Sequence, residues 1–180
     1  IQKRTHLQSF KRAFERTDTP YTVVKGDGFF ETSEVRTMLN LFRAINDPED
    51  EIALYGVLRS PMFGHSDDEL APYAEQESLW LALQESDERS IERSTTILRR
   101  LRSEAGLADG KPTVDDWSSL IDLVLNRTGF LAAISADERP RQAVANVDRF
   151  RELVASYDSL SSLQAVLKRL QAQEEQANYN

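Results

Sequence analysis

The chain has 180 residues, 40% of them apolar and 29% charged, which suits an ordinary soluble globular protein with one good core or at most two small ones. It has no cysteine, so a disulfide framework and a thiolate metal site are both excluded. No apolar run approaches the roughly 20 residues that cross a bilayer, and Ile1-Gln2-Lys3-Arg4 is not followed by the apolar stretch of a signal peptide. The expectation is a reducing, cytoplasmic setting with no membrane partner. The chain does not open on Met, and reads as starting in mid-protein or after processing. Its net charge of −8 is unevenly spread: residues 1–45 carry +3, residues 46–88 carry −11, and residues 89–180 balance. Phosphate binding is dominated by charge, so a nucleic acid fits the basic start and not the acidic middle.

Hydrophobic spacing predicts a mainly α fold with a short β element near residues 21–30. Leu7, Phe10 and Phe14 predict a helix over about 6–17, ended by Pro20. Tyr21-Thr22-Val23-Val24 reads as a strand that stops at the turn Gly26-Asp27-Gly28, with Phe29-Phe30 as a buried anchor. Thr32 or Ser33 caps a helix striped by Val35, Met38, Leu39, Phe42 and Ile45, which Asn46-Asp47-Pro48 terminates. The next helix carries Ile52, Leu54, Val57 and Leu58 up to Pro61. Ser66 and Glu69 have the spacing of a capping box, opening a short helical turn toward Pro72-Tyr73, and a longer helix follows around Leu79, Trp80 and Leu83.

In the second half, Ile91, Leu98, Leu101 and Ala105 share a helical face that ends at Gly106. Thr113 is the expected cap of a helix bearing Trp117, Leu120, Ile121, Val124 and Leu125, closed near Gly129. A stripe of Val144, Val147, Phe150, Val154 and Tyr157 follows Pro140, and a last helix with Leu163, Val166, Leu167 and Leu170 frays into the polar tail 171–180. No internal repeat or flexible linker divides the chain, so residues 1–180 read as a single helical domain.

Little in this pattern supports chemistry. Gly106 to Thr113 superficially looks like a phosphate-binding loop. It has three residues between its glycines where four are needed, Pro112 stands after Lys111, and a helix precedes it. A helix end followed by a helix start accounts for it better. Gly26-Asp27-Gly28 reads as a strand-ending turn before a phosphate cradle. The carboxylates of Asp47/Glu49/Asp50/Glu51 and Asp67/Asp68/Glu69 fall at expected helix N-termini, where the dipole favours acids, so two-metal catalysis is the weaker reading. His6 and His65 are the only histidines and lack the neighbours of a metal site. No catalytic residue and no metal ligand is expected.

Several ordered stretches are more particular. Arg4-Thr5-His6-Leu7-Gln8-Ser9 followed by Pro20-Tyr21-Thr22-Val23-Val24-Lys25-Gly26 resembles the pattern R-T-x-x-Q-S…P-Y-x-V-x-x-G of the UvrD/Rep-type superfamily 1 DNA helicases. Gly26 to Val35 resembles their G-x-x-F-F-x-x-x-E-[IV] signature. Leu41 to Asp50 resembles L-x-x-x-[IL]-x-[ND]-P-x-D, and Leu58-Arg59-Ser60-Pro61-Met62-Phe63-Gly64 is similar to the AddA/RecB-related branch. Residues 4–70 carry the resemblance; beyond them it is one of helical layout, with an echo at Asn146 to Leu153.

The resemblance implies a fragment of an ATP-dependent DNA helicase. Residues 1–30 would be the edge of the second motor domain and 31–180 a 2B-like helical insertion, stopping before the motif that re-enters the motor. ATP and Mg²⁺ would belong to the parent, with no cofactor in this piece. Arg4, Thr5 and His6 fall where that family touches the single strand along which it moves. Arg12 and Arg16, four apart on the expected first helix, extend the basic face. Gly64, His65 and Ser66 fall where relatives hold duplex DNA on a Gly-Ile-Gly turn. Here His65 replaces the aliphatic residue, Ser66 replaces the second glycine and three acids follow, so the expectation is a degenerate duplex-contact turn. The implied role is an accessory DNA-binding or regulatory subdomain in unwinding, repair or recombination, with weak affinity for single-stranded DNA in isolation and the remaining helicase domains as partners. The alternative is a helical protein-interaction module whose acidic segment docks a basic partner such as a nuclease subunit.

Overall fold

Helix α1 (Ser33–Asn46) is the element around which the rest packs in the computed structural model, which describes residues 28–107, 116–136 and 139–179. The expected helix over 6–17, the strand at 21–24 and the Thr113 cap lie outside the described residues. Gly28 to Phe30 form a turn, with φ of +103° at Gly28, and Phe29 and Phe30 are buried as expected. The described residues contain helices and no strand.

The stripe read from the sequence is the inner face of α1: Val35, Met38, Leu39, Phe42 and Ile45 are all buried. Leu41 and Ala44 are buried too, so α1 is covered on more than one side. Helix α2 (Glu51–Arg59) returns against it through Ala53, Leu54, Val57 and Leu58. The approach is tight at Gly56, where a Cβ would stand 2.7 Å from Asn40 Nδ2. Ile52, expected on this stripe, is 87% exposed instead. At about 100° per residue it lies on the opposite side of the helix from Leu54.

Helices α3 (Asp67–Ala74), α4 (Leu79–Gln84) and α5 (Arg89–Glu104) follow. The Ser66 capping box is present in both directions. The longer helix expected around Leu79 is only six residues. Ser86 ends it: its hydroxyl accepts the Glu88 amide at 3.1 Å and meets Tyr73 Oη at 2.6 Å, a local alternative to continued helical bonding. Helix α5 closes at Gly106, φ +78°, with Gly106 N–H on the Ser103 carbonyl and Leu107 N–H on that of Arg102, the paired bonds of a Schellman end.

Helix α6 (Trp117–Thr128) is capped by Asp116, whose carboxylate accepts the Ser119 amide at 2.7 Å. Gly129, at φ +68°, turns the chain into a short helix that the apolar pattern did not announce, α7 (Phe130–Ile134), with Phe130 fully buried. Helix α8 (Pro140–Ala155) brings Val147, Phe150 and Val154 inward; the Phe150 ring meets Phe42 edge-on at 5.8 Å between centroids. Helix α9 (Leu163–Tyr179) does not fray at residue 171. Its last turns are built from good helix formers, supported by Gln171 bonding Glu175 and by Glu174 reaching Arg43 of α1 at 3.5 Å.

The two ends of this burial scale make a test. Phe42→Ala should cost about 3–5 kcal/mol of unfolding free energy, while Ile52→Ala should stay within about 0.5 kcal/mol of the parent sequence. Urea denaturation of both variants, followed by circular dichroism, checks the pair.

Candidate nucleic-acid interface

Of the expected DNA-contact residues, Arg4, Thr5, His6, Arg12 and Arg16 lie outside the described residues. Gly64, His65 and Ser66 are described, in the turn that links α2 to α3. Ser60 ends α2, its hydroxyl donating to the Val57 carbonyl at 2.6 Å. Gly64 takes φ +75°, a conformation that costs a side chain-bearing residue strain although nothing lies within 4 Å of its Cβ position.

The amides of this turn point inward. Met62 N–H donates to Ser60 Oγ at 3.2 Å, Phe63 and Gly64 N–H to the Ser60 carbonyl at 3.1 and 2.8 Å, and His65 N–H to the Leu58 carbonyl at 3.1 Å. Ser66 N–H donates to Glu69 Oε2 at 2.8 Å. Five consecutive amides thus have acceptors within the chain, whereas a phosphate-binding helix start keeps its amides free for the anion. The Ser66 amide first, and then the Ser66 hydroxyl at 3.0 Å, hold the Glu69 carboxyl below its ordinary range. Just beyond, Asp67 Oδ1 accepts from Arg59 Nε at 2.7 Å and from Tyr55 Oη at 2.8 Å, which pushes the Tyr55 phenol upward.

The His65 side chain turns into the protein. Its ring is buried, and Nε2 lies 2.7 Å from Ser94 Oγ on α5, whose hydroxyl also reaches the Ser90 carbonyl at 3.1 Å. With the Ser94 proton directed to Ser90, Nε2–H is the donor to Ser94 Oγ. Burial pushes the His65 pKa down, and the nearby Glu69 charge opposes that only in part. Nothing near His65 in the sequence points to Ser94; the pairing spans 29 positions and is visible only in three dimensions.

The other polar cluster joins the helicase-like signature to the late echo. Asn146 Nδ2 on α8 donates to Glu34 Oε1 at 2.5 Å, both residues being buried. Ser33 Oγ donates to the second carboxylate oxygen at 3.0 Å, and Gln142 Nε2 donates to Asn146 Oδ1 at 3.1 Å. Described positions in and beside the other signatures are structural as well. Thr32 Oγ1 donates to the Phe29 carbonyl at 2.9 Å, Leu41 and Ile45 are fully buried, and Asp50 caps α2 through the Ala53 amide at 3.0 Å. Among the described residues no group of three or more histidine, aspartate or glutamate side chains could hold a metal ion. No described helix is long and apolar enough to cross a membrane.

This helical frame, with its ordered motifs used as packing and capping positions, agrees with comparison to known proteins. The family model for the UvrD-like helicase C-terminal domain matches residues 2–179, and the chain belongs to that family. It is 31% identical over 168 residues to the ATP-dependent DNA helicase UvrD1 of Mycobacterium leprae, covering 88% of this chain and 21% of that protein. It is 28% identical over 165 residues to an ATP-dependent helicase/nuclease subunit of Latilactobacillus sakei, covering 81% and 18%. The helicase/nuclease subunit of the same name from Staphylococcus aureus is 39% identical over 64 residues, covering 36% and 5%. The chain therefore spans about a fifth of the length of the first two relatives.

The buried imidazole makes stability depend on pH. The His65 pKa is lower folded than its ordinary 6.5, so between the two values the unfolded chain binds the extra proton. Its contribution is complete above 6.5 and is lost as pH falls toward the depressed folded value. Thermal melts across that window should show a decline in the parent chain that His65→Gln flattens; an unchanged slope would sink the assignment.

Proposed function

We propose that this chain is an accessory, DNA-handling part of an ATP-dependent DNA helicase acting in unwinding, repair or recombination. The observation that carries the reading is the family match over nearly the whole chain, in a segment only a fifth as long as relatives named as ATP-dependent helicases. In this reading residues 31–180 form a 2B-like helical insertion beside the edge of the second motor domain at 1–30. ATP and Mg²⁺ are handled by the parent's motor, and the remaining helicase domains are this segment's first partners.

The occupied amides of residues 62–66 and the acids that follow favour single-stranded over duplex DNA as the ligand of this segment. The basic start, with Lys3, Arg4, Lys11, Arg12 and Arg16 opposed by Glu15 alone over residues 1–16, is the matching source of positive charge. Arg4, Thr5 and His6 contact the strand backbone in this reading, and Arg12 and Arg16 extend the track. The affinity of the isolated chain sits near the nonspecific limit of about 10⁻⁴ M, because most of the strand channel belongs to other domains.

Fluorescence anisotropy with labelled single-stranded DNA at two salt concentrations tests this. Arg4→Ala should weaken binding and lower the salt slope by roughly one unit, while Ser66→Ala leaves both unchanged. Tight duplex binding that collapses in Gly64→Ala would overturn the reading and return the turn to duplex contact.

Phosphoryl transfer relies on a cradle of amides, a lysine and a held Mg²⁺, for which this chain offers no recognisable set. Purified chain should release no phosphate from ATP with or without DNA; turnover that stays with it through successive columns refutes that expectation.

A further inference from the structure

The acidic middle of the chain has a shape as well as a charge. Between helices α3 and α4 lies an open groove of about 460 Å³, lined by Pro72, Tyr73, Leu81 and Ala82 together with Glu77 and Glu85. Leu81 is 58% exposed there, and with Ile52 it is one of two strongly exposed large apolar side chains among the described residues. Both belong to segment 46–88, and the elements that carry them are joined. Ser78, in the groove wall, donates through Oγ to Glu49 Oε2 at 3.0 Å, and the Leu79 amide donates to Glu51 Oε1 at 3.1 Å.

The acids of this region fall into two groups. Asp50, Asp67 and Glu69 are consumed by caps and by Arg59, Asp47 by the Glu49 amide, and Glu49 and Glu51 by the α4 start. Asp68, Glu75, Glu77, Glu85, Asp87 and Glu88 are exposed and make no side-chain hydrogen bond or ion pair among the described residues. The one cation of the segment, Arg59, is already held by Asp67. Arg99, reaching α4 from α5, donates its Nε to the Gln84 amide oxygen at 3.2 Å and neutralises no carboxylate there. Unpaired like charges around an uncovered apolar floor favour a ligand that brings cations and apolar groups together.

We propose that the α3–α4 groove is a docking site for a lysine- and arginine-rich segment of a partner protein that also presents apolar side chains. The apolar groups lie on Leu81, Pro72 and Tyr73, and the cations face Glu77, Glu85 and the acids beyond the groove ends. A nucleic acid is refused by the same charge, so the surface operates independently of DNA binding at the basic start of the chain.

The experiment uses the whole 180-residue chain and fluorescein-labelled peptides of alternating lysine and leucine, lysine and serine, and glutamate and leucine. The lysine–leucine peptide should bind, the glutamate–leucine peptide should not, and the lysine–serine peptide should bind roughly tenfold more weakly. Glu77→Lys with Glu85→Lys should weaken the lysine–leucine peptide by roughly tenfold, and Leu81→Ser by about threefold or more. Both changes are at the surface, and unchanged circular dichroism and melting confirm that each variant is folded. Equal binding of the lysine–serine peptide, or insensitivity to Leu81→Ser, reduces the groove to bulk charge and overturns the proposal. Self-association that Leu81→Ser abolishes, without peptide binding, assigns the groove to a second copy of the chain and overturns it as well.

Discussion

Burial of α1 on nearly all sides is the constraint on which the rest of this structure depends. Only the narrow stripe of Ser33, Arg36, Asn40 and Arg43 looks toward solvent, so polar groups elsewhere on the helix need a partner inside. Thr37 donates back to the Ser33 carbonyl at 2.8 Å, Glu34 is answered by Asn146, and the Ile45 carbonyl at the helix end is met by the Arg102 guanidinium from α5. Burial holds the Arg102 pKa below its ordinary value, with the Asp47 charge acting in the opposite direction. The neighbours of α1 are thus placed by two sets of contacts, apolar side chains along its length and polar ones at its two ends.

Periodicity made the inner faces legible because a 3.6-residue stripe follows directly from which side of a helix meets the core. It served well for α1, α5 and α8, whose stripes are long. It misplaced Ile52, because an apolar residue one position off a short stripe cannot be distinguished from one on it. It overextended α4, because the break is made by a serine hydroxyl and not by glycine or proline. It lost α7, whose five residues are too few to show a period. Capping chemistry was readable at Ser66 and Glu69, but Thr32 makes no side-chain cap bond and the Asp116 cap was missed. Tertiary pairings such as His65 with Ser94 and Trp117 Nε1 with the Leu160 carbonyl left no trace in spacing.

The family signatures have a physical reading that differs from the one their name suggests. In the described part, the recurring Phe-Phe, Glu, Val, Leu, Ile and Asp positions are anchors, caps and a buried polar link, not groups presented to a ligand. Resemblance to a helicase can therefore be strong where the chain only holds its own shape. Among the described residues, six exposed carboxylates of segment 46–88 are left unused by the fold. Residues under little packing constraint are where a subdomain of this family has freedom to differ from its relatives.

The bond between Glu34 and Asn146 spans 112 positions and fixes how early in synthesis the core can close. As the chain leaves the ribosome, α1 and α2 can pair at once as a local hairpin, but the Glu34 carboxylate then has to stay hydrated. Only when α8 has emerged can that end of α1 be dried without leaving the Glu34 oxygen short of its hydrogen-bond donor. Truncation inherits the same rule: a chain cut anywhere before residue 146 keeps its densest motifs yet lacks the group that lets them be buried.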